Sequence, residues 1–301
     1  MIMTEATGTP QSWKKRAMFE YDFIRHAFAA ATIVAILAGT VGYFLVLRGQ
    51  TFAGHALAHV GFTGATGAVL IGIPPLWGLV LMTVAAGIGM GAMGEKLAER
   101  DVAIGLVLAL SLGLGLLFLH FFTTSATQAT ALLFGNVLAV NMSTIWTLLA
   151  LGVVSLGMLA VISRPLLFVS LQPELAEAKG LSLRRYSILF LAIVALSTAE
   201  CAQIVGVLLV FALMVGPAAT ALQLTSKVLT GLGLSALIAL IEAWLGITLA
   251  YYSDWPTSFW ITALSAGFYL LGRLSARSRA SFHVIHQSAA QTVLDPEVSK
   301  L

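Results

Sequence analysis

Long apolar runs, separated by short polar segments, occupy most of this 301-residue chain. An apolar run of about 20 residues is long enough for an α-helix to cross the hydrocarbon core of a bilayer. The short alternating segments typical of a membrane β-barrel are not seen in the sequence. Because the sixth and seventh runs could form one long broken helix, the pattern predicts an all-α protein with eight or nine transmembrane helices. The runs cover residues 26–47, 54–72, 75–94, 102–122, 138–162, 186–200, 203–222, 229–251 and 257–274.

Polar and basic segments divide the apolar runs and indicate which side of the membrane each connection faces. Basic residues in the cluster 95–101, in the region 164–185 and after the last run predict that these segments face the cytoplasm. Nine helices would then put the N-terminus outside, whereas the basic residues at 14–16 favour the cytoplasm, so the side of the N-terminus stays open. The predicted parts are an N-terminal extramembrane segment 1–22, a transmembrane domain 23–274 and a cytoplasmic polar tail 275–301.

The amino-acid composition supports a membrane protein. Hydrophobic residues make up 59% of the chain, charged residues make up 10%, and the mean hydropathy is +0.95. A soluble domain of this length has too little interior to bury so much apolar surface, whereas a bilayer removes this difficulty. The net charge of +3 gives no indication of a nucleic-acid partner, and a chain with Cys201 as its one cysteine cannot form an internal disulfide.

Glycines concentrate in the apolar runs, where small residues allow membrane helices to approach one another closely. The chain has 28 glycines, and Gly87, Gly89 and Gly91 form one cluster. Close helix packing is the favoured interpretation of this cluster, and a flexible gate is the alternative.

Two histidines at the start of the second run are the clearest candidates for metal chemistry. His55 and His59 are four residues apart, so they share one face if the segment is helical. Neutral imidazoles are common ligands of zinc and similar divalent ions, and ionisable groups inside a membrane usually mark a path or a site. The alternative is a pair of interfacial histidines near Arg48 that meet lipid headgroups.

Acidic residues are scattered through the second half of the chain. Glu242 lies well inside the apolar sequence IALIEAWLG, where a lone carboxylate is costly and could line a pathway. Glu200 and Gln203 are predicted to lie where the sixth run gives way to the seventh. Asp254 stands before a Trp-Pro pair, which predicts an exposed turn between two helices. For Asp254 and for His120, an interfacial position is favoured over a place in a pathway.

The longest polar connection, 170–185, contains a segment that predicts a short helix. Proline suits the first turn of a helix, glutamates suit its start, lysine suits its end, and glycine can terminate it. Leu175, Ala178 and Leu181 would form its apolar side, which could rest on the membrane or dock a partner. The segment comprises Pro173, Glu174, Leu175, Ala176, Glu177, Ala178, Lys179 and Gly180.

Enzyme signatures are missing from the sequence. The segment GMGAMGEK at 89–96 is a near match to a phosphate-binding loop, but Glu95 replaces the lysine and no Ser or Thr follows. No HExxH, CxxC or GxSxG pattern occurs. The chain is therefore predicted not to be an enzyme and not to hydrolyse ATP by itself.

Four segments, in this order, resemble the signatures of zinc- and manganese-type permeases of binding-protein-dependent ABC importers. The resemblance extends over about residues 20–274. The segments are YFLVLRGQTFAGHALAHVGFTG at 43–64, ALLFGNVLAV at 131–140, PELAEAKGL at 173–181 and VGVLLVFALMVGPAATA at 205–221.

The resemblance implies the permease subunit of an ATP-driven importer of divalent transition metal ions in the bacterial cytoplasmic membrane. Members of this family form homodimers with the pathway at the dimer interface, bind two cytoplasmic ATP-binding subunits and receive metal from an extracytoplasmic binding protein. On this basis the helix at 173–180 is the coupling helix that sits in an ATPase groove. The metal is cargo, and no tightly bound cofactor is expected.

The resemblance also assigns the metal site, with one departure from the family pattern. His59 matches the histidine of the family's Gly-Asp-x-x-x-His pattern, whereas His55 stands where members usually have aspartate. Because imidazole favours borderline metals over hard ones, the substitution puts zinc first among the expected substrates, with manganese or iron as the others. Glu242, Glu200 and Asp254 are weaker candidates for metal contact.

The expected mechanism is alternating access, in which ATPase closure moves the coupling helix and metal binds transiently at the histidines. Histidine ligands must be neutral, so uptake should weaken below about pH 6. The main alternative is a proton-coupled secondary transporter with Glu242 or Glu200 as the proton carrier, although no inverted repeat is visible. A membrane scaffold with no transport of its own is a further alternative.

Overall fold

The computed structural model describes residues 21–93, 97–121, 133–135 and 137–294, with side chains described up to residue 275 apart from those of 97–100 and 138. Within these ranges the chain is helical and contains no β-strand. One turn of 3₁₀ helix, Val137–Ala139, precedes the fifth helix. The α-helices are α1 Asp22–Leu47, α2 Thr51–Leu70, α3 Pro75–Ala92, α4 Leu97–His120, α5 Met142–Leu171, α6 Pro173–Ala178, α7 Leu183–Val205, α8 Val207–Leu224, α9 Val228–Ser253 and α10 Thr257–Leu294.

The helices coincide with the predicted apolar runs. Among the described residues, every run has one long helix, and the all-α prediction is confirmed. Seven of these helices are long and apolar enough to cross a membrane, while α2 and α10 fall outside that set. The predicted count of eight or nine crossings therefore stays a prediction. The basic residues at 14–16, part of the cluster 95–101 and residues 131, 132 and 136 lie outside the described residues.

Several helix boundaries differ from the sequence prediction, among them the end of α10, which continues to Leu294 beyond the predicted 274. The fifth run was expected to end at 162, before Arg164 and Pro165, but α5 continues through Pro165 to Leu171. A proline removes one backbone hydrogen bond, and membrane helices tolerate this where neighbouring groups satisfy the freed carbonyl. Glu200 and Gln203 were expected between the sixth and seventh helices, but both lie inside α7, and the break follows at Gly206.

Helix α1 lies at the centre of the bundle and packs against α5, α7, α8 and α9. Five of its six alanines are almost completely buried, and small side chains let helices approach closely without a large apolar driving force. Helix α2, which carries the two histidines, packs against α3, α4, α7 and α8. Helix α4 packs on α2 and is largely exposed on its other sides, as expected for a helix that faces lipid.

The glycine cluster on α3 forms a close contact with α7. A Cβ atom built on Gly87 would lie 2.6 Å from the carbonyl oxygen of Leu191, and one on Gly91 would lie 2.6 Å from Cα of Ile188. A Cβ on Gly89 would meet nothing within 4 Å. Two of the three glycines therefore serve close packing, in agreement with the favoured interpretation of the cluster.

A single residue, Gly206, separates α7 from α8. Its φ of 83° lies in the left-handed region that glycine adopts at little cost. A Cβ there would collide with the backbone of Phe134 and Gly135, and a Cβ on Gly135 (φ 76°) would collide with the backbone from Ile204 to Gly206. The sixth and seventh runs thus form two helices separated by one residue, and the break is in direct backbone contact with the segment that precedes α5.

The predicted short helix is present as α6. It begins at Pro173 and ends at Ala178, and Gly180 follows with a φ of 80°. Ala176 is its buried residue and packs with Val169 and Leu183 from the ends of α5 and α7. Leu175 and Ala178 are exposed, whereas Leu181 is half-buried and packs against this cluster, so the apolar side that the sequence predicted is only partly open.

Candidate metal centre

The turn Arg48-Gly49-Gln50 fixes the start of the helix that carries the histidines. Gly49 has a φ of 64°, and the N–H of Gln50 donates to the carbonyl of Leu45 at 3.0 Å, which closes the end of α1. The Gln50 carbonyl then accepts from the N–H of Gly54 at 3.2 Å as the first hydrogen bond of the new helix. The helix therefore begins at Thr51, before the predicted start at 54, and His55 lies in its second turn.

His55 and His59 lie on one face of α2, as their spacing predicted. Their ring centroids are 4.8 Å apart and the ring planes are almost perpendicular, at 81°. Both side chains are half-buried. Nδ1 of His59 is buried and has no hydrogen-bond partner among the described residues. A buried ring nitrogen without a protein partner is available to a ligand, because leaving it unpaired is costly.

A third ring reaches the histidine pair from α8. The ring of Phe211 packs against His55 with a centroid separation of 5.3 Å and an interplanar angle of 78°. Sequence reasoning missed this residue, although it lies inside the fourth family-like segment, 205–221. Phe211 and His55 are distant in the sequence and meet only in the folded structure, so local residue spacing gives no signal of their contact.

The remaining sequence candidates lie apart from one another. Among the described residues, no group of three or more His, Cys, Asp or Glu side chains comes together. Glu200 is fully buried on α7, where its Oε1 accepts a hydrogen bond from the Ser155 hydroxyl at 3.1 Å. Glu242 is fully buried on α9, beside Ser265 of α10. The histidine pair is therefore the one site candidate whose members the described structure brings together.

The two other candidates lie at helix ends. Asp254 occupies the turn between α9 and α10 with a left-handed φ of 60°, and it lines a cavity with Tyr21 and Tyr251. His120 is the last residue of α4, is exposed, and contacts the ring of Phe121. Both residues lie at helix ends, and the interfacial interpretation favoured from the sequence stays a prediction.

A pair of imidazoles can bind a divalent ion but cannot enclose it. A closed structural zinc site uses four protein ligands, whereas two ligands leave most coordination positions to water or to another chain. Loose binding of this kind suits an ion that has to be released on the other side of a membrane. The arrangement fits transport better than metal storage or a structural metal site.

Comparison with known proteins gives consistent matches over most of the chain. The family described as the ABC 3 transport family matches residues 20–276. The chain is 31% identical over 235 residues to the "Manganese transport system membrane protein MntC" of Listeria innocua, covering 78% of this chain and 84% of that protein. It is 28% identical over 268 residues to the "Manganese import system permease protein ScaB" of Streptococcus parasanguinis, covering 88% and 95%.

Among solved structures, the chain is similar to "PsaBC from Streptococcus pneumoniae in complex with Fab". The TM-score is 0.76 at 27% sequence identity, and the match covers 85% of this chain and 92% of that chain. The likeness therefore extends over nearly the whole helical bundle.

Proposed function

Because this chain belongs to the ABC 3 transport family, we propose that it is the membrane-spanning permease subunit of an ATP-driven importer of divalent transition metal ions. The observation that carries the proposal is the paired imidazoles of His55 and His59, with the buried, unpartnered Nδ1 of His59 among the described residues. The family supports the expectation that the chain is a transport subunit and that ATP hydrolysis takes place in its partners.

Manganese replaces zinc as the first proposed substrate. Zinc was expected first because His55 stands in place of an aspartate, but the similar permeases MntC and ScaB are both named for manganese and give zinc no support. Nitrogen ligands bind manganese more weakly than zinc, and a weak site is compatible with a transported ion. Zinc and iron remain alternatives that uptake measurements separate.

Helix α6 is the proposed contact with the ATP-binding subunits. Its Leu175 is 47% exposed, and Glu174, Glu177 and Lys179 are exposed around it. An exposed leucine ringed by charged residues is typical of a small docking surface with a polar rim. The proposal puts α6 and the neighbouring 164–185 region in the cytoplasm, as the positive-inside rule predicts.

The proposed assembly has two permease copies, two ATP-binding subunits and an extracytoplasmic metal-binding protein in a bacterial cytoplasmic membrane. Eight or nine helices cross the bilayer, and ATPase closure moves α6 so that the pathway opens alternately to the two sides. A second copy would supply two further imidazoles if its histidines faced the same pathway. Two ligands per chain are consistent with a site completed at a dimer interface.

Metal accumulation in metal-starved cells tests the proposed function. Cells would express this chain with its ATP-binding subunits and binding protein, and manganese and zinc would be supplied separately. We expect His59→Ala and Glu174→Arg each to abolish uptake while the protein still reaches the membrane, since one removes a ligand and the other reverses a charge on the docking surface. His120→Ala, at an exposed helix end, is the matched control and should transport normally.

Uptake that persists in both variants would overturn the assignment of the histidine site and of α6. Uptake that survives ATP depletion but stops when the proton gradient is removed would favour a secondary transporter instead.

A further inference from the structure

Arg48, in the turn between α1 and α2, contacts two other helices. Its Nη1 donates a hydrogen bond to the hydroxyl of Ser170 on α5 at 2.6 Å. Its Nε donates to the side-chain oxygen of Gln50 at 3.4 Å. Its guanidinium carbon lies 5.4 Å from the ring centroid of Phe190 on α7. One side chain therefore connects three helices at the same end of the bundle.

On one side of Arg48 lies the segment that carries the proposed coupling helix. Ser170 is in the last turn of α5, and Gln172, two residues later, ends α5 and begins α6. Val169 and Ala176 pack with Leu183 in a small apolar cluster that holds α6 against the ends of α5 and α7. A displacement of α6 therefore acts on the turn of α5 that contains Ser170.

On the other side of Arg48 lies the helix that carries the histidines. Gln50, which accepts from Arg48, is buried and directly precedes α2. The backbone carbonyl of Gln50 accepts a hydrogen bond from the N–H of Gly54, the residue before His55. The direction and position of the first turn of α2 therefore depend on where Gln50 is held. A continuous path of bonded groups runs from α6 to His55.

We propose that Arg48 is a positioning residue that transmits the displacement of α6 to the histidine pair on α2. The inference rests on the proposed function, because it needs α6 to contact the ATPase and His55 to contact the metal. Arginine suits this role because its planar group can donate to two partners in fixed directions and stack on a ring at the same time. A lysine at this position could bond one of these partners but could not reproduce the whole geometry.

The test measures metal uptake and ATP hydrolysis in the same vesicles. The full complex of permease, ATP-binding subunits and binding protein would be reconstituted, with Mn²⁺, Zn²⁺ and Fe²⁺ as probes. In Arg48→Gln we expect ATP hydrolysis within about twofold of wild type and metal uptake per ATP lowered about tenfold, the scale of one charge-assisted hydrogen bond. Arg164→Gln removes an exposed arginine from the same end of α5 and should leave the ratio unchanged.

Variants of Ser170 test the same bond from its other end. Ser170→Ala should lower uptake per ATP, and Ser170→Thr, which keeps the hydroxyl, should restore it. The double variant Arg48→Gln/Ser170→Ala should be no worse than Arg48→Gln alone, because both changes remove one interaction. If Arg48→Gln does not fold, Ser170→Ala and Ser170→Thr still test the inference, because uptake per ATP should fall in the first and be normal in the second.

The outcomes separate the inference from the proposed function. A wild-type complex that imports none of the three metals would contradict the proposed function, whatever the variants do. If the wild-type complex imports metal, and Arg48→Gln and Ser170→Ala both import as much metal per ATP hydrolysed as wild type, only the inference is overturned. A parallel loss of hydrolysis and uptake in both variants would also overturn it, because a purely structural residue would have that effect.

Discussion

The ring of Phe211 on α8 packs nearly perpendicular to the ring of His55 on α2, with their centroids 5.3 Å apart. The imidazole of His55 therefore contacts two rings, that of Phe211 on α8 and that of His59 on its own helix. An imidazole held in this way keeps one orientation, which lowers the entropy lost when it binds an ion.

Replacing Phe211 with leucine should weaken metal binding without abolishing it. An aromatic pair contributes about 0.5–1.5 kcal/mol beyond its buried area, so we expect a roughly two- to tenfold higher metal concentration for half-maximal uptake. Phe52→Leu is the matched control, because Phe52 lies on the same helix as the histidines. Phe52 is 38% exposed and Phe211 is 39% exposed. Equal effects of the two substitutions would contradict a specific role for Phe211.

Restoring the family's aspartate at position 55 should change which metal is preferred. In His55→Asp a hard, charged oxygen ligand replaces a borderline nitrogen ligand, so uptake of manganese should rise relative to zinc. Competition between the two ions in vesicles measures the change directly. If the preference is the same in wild type and His55→Asp, residue 55 does not contact the ion.

Uptake should fall as the external pH falls below about 6. A protonated imidazole cannot bind a metal, and the reference pKa of histidine is about 6.5, so protons compete with the ion in the acidic range. The decline should be less steep in His55→Asp, which has one imidazole fewer. Uptake would be measured per ATP hydrolysed, so that acid effects on the ATPase cancel. A flat ratio from neutral pH to about pH 5 would exclude imidazole ligation.

Glu200 should contribute to stability and not to metal transport. Its carboxylate accepts from Ser155, and Gln at this position keeps both the volume and an acceptor oxygen. Glu200→Gln should therefore transport normally, whereas Glu200→Leu should lower the free energy of unfolding by about 1–2 kcal/mol, because the buried Ser155 hydroxyl loses its partner. Thermal unfolding in detergent measures the difference. A tenfold loss of uptake in a stable Glu200→Gln protein would instead put Glu200 in the metal pathway.

The glycine cluster on α3 allows the effect of an added methyl group on stability to be compared at two positions, Gly87 and Gly89. Gly87→Ala should destabilise the protein by about 1–3 kcal/mol, because the new methyl group would overlap the backbone of Leu191. Gly89→Ala should be neutral or slightly stabilising, since nothing lies within 4 Å of the added atom. The measurement is again thermal unfolding of the purified protein. Similar melting temperatures for the two variants would mean that α3 and α7 do not touch at Gly87.

The sequence predicted features that depend on neighbouring residues along the chain. Apolar run length located the long helices, the Pro173 to Gly180 composition located α6, and the i to i+4 spacing put His55 and His59 on one face. In each case the deciding interaction is local, so a short window of sequence contains it.

Features that depend on contacts between distant segments were not predicted. Phe211 reaches His55 from another helix, and Gly206 rather than the polar pair Glu200 and Gln203 breaks the sixth and seventh runs. Glu200 lies inside α7, where its Oε1 accepts a hydrogen bond from Ser155 of α5, a contact that the sequence of a single helix could not reveal. The contacts of Arg48 were not predicted for the same reason, because its partners Ser170 and Phe190 are distant in the sequence.

The meeting of Gly135 and Gly206 limits how this region can evolve. Each residue has a positive φ and leaves no room for a side chain against the other backbone, so a change at one position cannot be compensated at the other. Most pairs of contacting residues can drift together by exchanging large for small, but two glycines have no smaller residue to exchange. Sequences that descend from this one should therefore vary at positions flanking Gly135 and Gly206 but not at the two glycines. In a saturation library, neither glycine should tolerate substitution.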